Sequence, residues 1–181
     1  MRGGRGALKL GDMRFVWLNI LGGIAVLGSY ALGIAGHPDS VGRLWGDMPP
    51  SLQAVYGITM WLAAAGYFPF TYLWWRHGSG LRVLGGRDFR SIEALYALVL
   101  VPSALWMPLT FAWLEAPSTG LWVAVRLVLF LVAAGSCGLL AALLTATPRP
   151  RPALFWSALA GQALFMVQTA LLDPLVWPLF F

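Results

Sequence analysis

The sequence predicts an all-α integral membrane protein, a bundle of five transmembrane helices forming one domain over residues 1–181. Three observations carry this. Only 10% of the 181 residues are charged, against roughly 25% in a soluble domain, too few to solvate a compact surface. Hydrophobic residues make up 59% of the chain, and its mean hydropathy is +0.74. The apolar residues also fall in five blocks of about 20, enough to cross a hydrocarbon core of ~30 Å at ~1.5 Å per residue. A water-soluble globular protein is excluded, and any activity has to sit within the bundle.

The first span is expected over about Phe15 to Gly36, after a Gly/Arg-rich head holding Arg2, Arg5, Lys9 and Arg14. That head has the composition of a signal-peptide n-region. The apolar stretch behind it exceeds the roughly 7–15 residues of an h-region and lacks an Ala-x-Ala-type cleavage site, so a retained helix is expected. Span two runs from Leu52 to Trp75, behind Pro49-Pro50, which suits a helix start. Span three is expected over Ile92 to Trp113, span four over Gly120 to Thr147, and span five over Ala153 to Leu172. The turn Pro148-Arg149-Pro150-Arg151-Pro152 makes a rigid, charged connection between the last two. Loop one, from His37 to about Pro50, carries Asp39, Trp45 and Asp47; it either covers one mouth of the bundle or lies passively in the interface.

Basic residues alternate along this layout. Four precede span one, loop one has Arg43, and loop two has Arg76, Arg82, Arg87 and Arg90. Loop three has none, loop four has Arg149 and Arg151, and the tail has none. The positive-inside rule then sets a multi-pass topology with the N-terminus and loops two and four in the cytoplasm, and loops one and three and the C-terminus outside. Tryptophans agree with the interfaces: Trp17, Trp74, Trp75 and Trp156 fall at inner ends, and Trp45, Trp113, Trp122 and Trp177 at outer ends. The +5 net charge therefore reads as a topology signal, and no nucleic-acid partner is implied. Small residues one turn apart, Ser29/Gly33, Ala31/Ala35, Ala134/Gly138 and Ser157/Gly161, allow close helix approach within the bundle or in a homodimer.

Residues that do not belong in lipid carry the functional signal. Trp61 and Trp106 lie off both belts, in the outward half, as core filler or as the wall of an apolar ligand site. Arg126 is the one basic residue well inside a span, where an unpaired guanidinium is costly, so it should find a carboxylate. Asp173 and Glu115 are the candidates at its level, giving either a structural ion pair or a ligand anchor. On span five Gln162, Thr169 and Asp173 recur at +7 and +11 around Met166, a polar stripe on one helical face.

Catalysis has little to work with. His37 and His77 fall on opposite sides of the membrane, the single Cys137 lacks a partner, and Glu93 has no His, Cys or carboxylate at helical spacing. The reading is a non-enzyme with no metal site and no required cofactor, able to carry a bound tetrapyrrole or lipid.

A family resemblance runs through Pro49-Pro50, Val55-Tyr56-Gly57, Gly66-Tyr67, Tyr72-Leu73-Trp74, Leu95-Tyr96 and Trp106-Met107-Pro108-Leu109-Thr110-Phe111. Together these resemble the tryptophan-rich sensory proteins of the TspO/translocator protein family, in which a Pro-Pro opens the second helix and a Trp-x-Pro-Leu-Phe-Phe-like motif lies in the third. The chain departs from that pattern in lacking an Asn shortly before the third-helix tryptophan and a Tyr followed by Lys or Arg in span five. The resemblance implies a five-helix bundle with a pocket toward one end, covered by the first loop and taking porphyrins or sterol-like molecules. Tyr56, Trp106, Pro108, Leu109 and Phe111 are the residues it carries over. Trp61, Arg126, Gln162, Thr169 and Asp173 join them from the reading of the residues themselves.

The favoured function is thus binding or sensing of a planar hydrophobic small molecule, with membrane lipid as surroundings. The alternatives are a non-catalytic accessory subunit of a larger membrane complex and, third, a small transporter, which lacks here the internal repeat and broken helices of carriers. Topology is directly testable. Single cysteines at Ser79 and Ser118 in a Cys137→Ala background should label from opposite sides of the membrane; labelling of both from one side contradicts five spans.

Overall fold

The computed structural model describes residues 10–181, with side chains from Met13 onward. The basic head at Arg2, Arg5 and Lys9 lies outside the described residues. The described chain is mostly helical, with five main helices: α1 (Leu10–Gly36), α2 (Pro50–His77), α3 (Phe89–Glu115), α4 (Thr119–Thr145) and α5 (Pro152–Met166). Beyond Met166 the last helix continues as a π-helical stretch, Val167–Val176, and a closing 3-10 turn, Trp177–Phe180. A 3-10 helix, Pro38–Trp45, occupies the α1–α2 connection. Four helices are long and apolar enough to cross a membrane: Met13–Gly36, Phe89–Glu115, Thr119–Thr145 and Pro152–Phe180.

Local chemistry sets the helix starts. Pro50 and Pro152 occupy first-turn positions, where a missing N–H costs nothing. Ser118 Oγ accepts from the Leu121 N–H at 3.3 Å, and Asp88 Oδ1 accepts from the Arg90 N–H at 3.2 Å, capping α4 and α3. Prolines inside helices, Pro69, Pro102, Pro108 and Pro174, are tolerated where neighbouring helices pack around the opened backbone.

The helices pack in the order α1, α3, α4, α5, α2, and α1 scarcely meets α2. On α2 the buried residues Tyr56, Ala63, Gly66, Phe70, Leu73 and Trp74 recur at three- and four-residue steps, a stripe facing the bundle. The opposite face, with Ile58, Trp61 and Phe68, is exposed. Two end-clusters result. One gathers Phe15, Phe70, Leu73, Trp74, Tyr96, Leu139 and Leu143 near loops two and four, the arginine end. The other gathers Met48, Tyr56, Val125, Leu129 and Trp177 beneath loop one, the tryptophan end.

One reading of the sequence changes here. Trp74 is no belt residue: it is fully buried, while Trp17, Trp75 and Trp156 of the same group are exposed. Gly85 and Gly86 form a defined turn in loop two at φ 79° and 106°. The turn is closed by a backbone bond from Arg87 N–H to Val83 O at 2.7 Å, and loop two is tied to loop four by reciprocal Arg82–Thr147 backbone bonds at 2.8 and 2.9 Å.

α2 and α5 meet at Gly66 and Gly161, where a Cβ on either residue would run into the other's backbone. Gly161→Val should therefore separate α2 from α5 and lower stability by about 1–3 kcal/mol. Gly57 has open space around it, and Gly57→Ala should be neutral or mildly stabilising. Thermal unfolding in detergent reads both; equal midpoints for the two variants would remove the crossing from the account.

Candidate functional site

The tryptophan end gathers aromatic and polar side chains from five helices. Trp106 of α3 lies 5.6 Å from Tyr30 of α1 and 5.6 Å from Trp177, centroid to centroid. Trp122 of α4 lies 6.0 Å from Trp177 and 4.6 Å from Trp113. Phe181 closes on Trp177 at 4.7 Å, and Trp45 of loop one meets Tyr56 of α2 edge-on at 6.0 Å. These tilted and edge-to-face geometries are the ones aromatic quadrupoles favour.

Loop one is strapped over this layer. The Trp177 indole N–H donates to Leu44 O at 2.8 Å, the Asp47 N–H donates to Phe180 O at 3.0 Å, and the Arg43 guanidinium donates to Leu114 O. Gly46, at φ +52°, makes the second bond fit, because a side chain there would strike Phe180 O. His37 stacks on Phe111 at 4.3 Å, with Nδ1 2.9 Å from Gly33 O and Nε2 3.1 Å from Glu115 Oε1. Both ring nitrogens thus face oxygen atoms, which fixes the ring over Phe111. Of the two expectations for loop one, the cover is what the chain forms.

The polar centre of the layer arises from the π-helical stretch. Gln168 Nε2 donates to Asp173 Oδ1 at 2.6 Å, across five residues. In a regular α-helix, five residues turn through about 500°, so the two side chains would point about 140° apart; i→i+5 bonding returns them to one face. Asp173 lies within Coulombic reach of the hydroxyls of Tyr30 and Tyr56. Around it, three buried atoms have no hydrogen-bond partner among the described residues: Tyr56 Oη, Trp106 Nε1 and Gln168 Oε1.

The residues singled out from the sequence divide accordingly. Tyr56, Trp106 and Leu109 join the tryptophan-end cluster, and Phe111 sits in the adjoining one with Met107 and Leu114. Pro108 is exposed on α3. Trp61 is 79% exposed and belongs to neither cluster, so it stands apart from Trp106. Gln162 is fully buried and donates to Ser136 O at 3.0 Å, joining α5 to α4. Thr169 donates to Phe165 O of its own helix at 2.8 Å. The ion pair expected for Arg126 does not form: its guanidinium lies 5.1 Å over the Phe130 ring, Asp173 is held by Gln168, and Glu115 by His37. A partly exposed guanidinium on an aromatic face has a lower cost than one dragged inward to a carboxylate. Gln168, Tyr30 and Trp177 are the members that the sequence reading did not select.

Arg126→Leu should accordingly cost no more than about 1 kcal/mol, the size of a cation–π contact. Gln168→Leu strands a carboxylate and should cost about 1.5–3 kcal/mol. Thermal unfolding separates the two, and an Arg126→Leu loss as large as that of Gln168→Leu would restore the ion pair.

Comparison of the chain with protein-family models, with curated proteins and with solved structures yields no match.

Proposed function

We infer that the protein binds or senses a planar, mostly apolar small molecule of porphyrin- or sterol-like shape at its tryptophan end. The observation that carries this reading is that three buried polar atoms at the aromatic end, Tyr56 Oη, Trp106 Nε1 and Gln168 Oε1, have no hydrogen-bond partner among the described residues. Buried polar groups in a folded protein are almost always hydrogen-bonded. A ligand whose flat body stacks on Trp106 and whose polar edge supplies hydrogen-bond partners to those atoms satisfies them. The strapped loop one supplies a cover, and the resemblance to the tryptophan-rich sensory family points to the same end of the bundle through Tyr56, Trp106, Leu109 and Phe111.

The same reading makes α2 the fifth span, with the N-terminus in the cytoplasm and the C-terminus outside. At 28 residues it reaches about 42 Å. Its exposed face of Ile58, Leu62 and Phe68 gains free energy only in contact with lipid.

Porphyrin titration monitored by tryptophan fluorescence tests the ligand reading. A stacked indole contributes about 1–3 kcal/mol, so Trp106→Ala should weaken binding roughly five- to 150-fold. Trp75→Ala, at the arginine end and exposed, should bind like wild type. Equal affinities in all three proteins would reduce Trp106 to core filler.

A further inference from the structure

At the arginine end, α1 and α3 enclose an open depression of about 470 Å³ lined by Arg14, Leu18, Arg90, Glu93 and Ala97, a size within the ligand-site range of roughly 300–1,000 Å³. Its lining is ordered along the helix axes. Arg14 and Leu18 stand four residues apart on α1, and Arg90, Glu93 and Ala97 follow at three and four residues on α3, so each helix contributes one face. α1 and α3 begin at this same end, with both guanidinium groups in their early turns. Leu18 and Ala97 lie about 6 and 10 Å further along. The depression therefore grades from a cationic rim to an apolar floor in the direction of the spans.

Glu93 makes this more than a positive edge. Its side chain is 17% exposed, its Oε2 is 3.9 Å from the exposed Arg14, and its Oε1 is buried without a partner among the described residues. Among the described residues, two guanidinium groups and one carboxylate set the lining at +1, the complement of a single phosphodiester, with one acceptor facing no donor. The free acceptor requires a donor on the ligand.

We propose that this depression holds the head group of an anionic phospholipid of the phosphatidylglycerol type. Its phosphate lies between Arg14 and Arg90, a head-group hydroxyl donates to Glu93 Oε1, and an acyl chain runs along Leu18 and Ala97. Phosphatidylcholine has no donor for Glu93, phosphatidic acid has no head-group alcohol, and an ethanolamine lipid is net neutral and leaves the positive charge of the lining uncompensated. Basic recesses between helices at the cytoplasmic side are suited to acidic head groups. The site is separate from the aromatic layer at the other end and does not depend on what binds there.

Native mass spectrometry of the full chain, titrated with phosphatidylglycerol, phosphatidylcholine and phosphatidic acid, tests this. Wild type should retain one phosphatidylglycerol in preference to the other two lipids. Arg14→Gln with Arg90→Gln should weaken its retention about 30-fold, whereas the double lysine variant should keep most of it. Arg149→Gln with Arg151→Gln, charges in loop four, should leave retention unchanged. Glu93→Ala should erase the preference for phosphatidylglycerol over phosphatidic acid. Equal retention of phosphatidylglycerol and phosphatidylcholine by wild type overturns the proposal, as does equal weakening by the loop-four pair, which would mean a diffuse positive surface.

Discussion

The widened turn of the last helix, Val167–Val176, is the constraint on which the tryptophan end depends. Pro174 lacks an N–H and cannot complete a regular helical ladder there. A π-helical stretch absorbs the missing bond while keeping the chain helical, as backbone in a hydrocarbon setting requires. It also turns Gln168 and Asp173 to one side, where they bond to each other. Beyond it, Trp177 is delivered at 3% exposure into the layer formed by Trp106, Trp122 and Phe181. The straps from Trp177 to Leu44 and from Asp47 to Phe180 then follow, because the loop closes on whatever the helix end presents.

The rest of the bundle holds that end in register. The Gly66–Gly161 contact lets α2 and α5 approach at backbone distance, a device suited to membranes, where packing and not water exclusion drives association. Gly33 does the same for α1 against Met107 and Phe111, and Gly135 for α4 against α3. Polar bonds are few but span elements: Tyr67 to Asn19, Thr71 with Tyr96, and Gln162 to Ser136. The two ends differ in chemistry, one aromatic and hydrogen-bonded, the other edged with arginine, and each holds buried polar atoms with no partner among the described residues.

Much of the architecture was legible because apolarity and breakers mark it. Four of the expected spans, 15–36, 92–113, 120–147 and 153–172, overlap helices long and apolar enough to cross a membrane, the expected span 52–75 falls within α2, and the Pro49-Pro50 start and the Pro/Arg turn lie at helix ends. The aromatic layer was legible in part: Trp106 stood off the belts, and loop one held Trp45. Other features escaped for specific reasons. Gln168 lay outside a stripe drawn with α-helical spacing, and only five-residue spacing pairs it with Asp173. Arg126 was assigned a carboxylate by depth alone, although Phe130, four residues on, offered its ring. Trp61 and Trp74 share depth with other tryptophans but differ in azimuth, one facing out and the other in, and depth along a helix carries no information on azimuth.

We propose that the π-helical stretch Val167–Val176 creates a polar, aromatic-walled site at the tryptophan end. An experimental density map of the protein in a lipid bilayer tests it most directly. The account predicts i→i+5 bonding through Val167–Val176, Gln168 against Asp173, and non-protein density joining Tyr56, Trp106 and Gln168. A regular α-helix through this stretch, with Asp173 turned to Arg126 and the aromatic rings packed without intervening density, would contradict it.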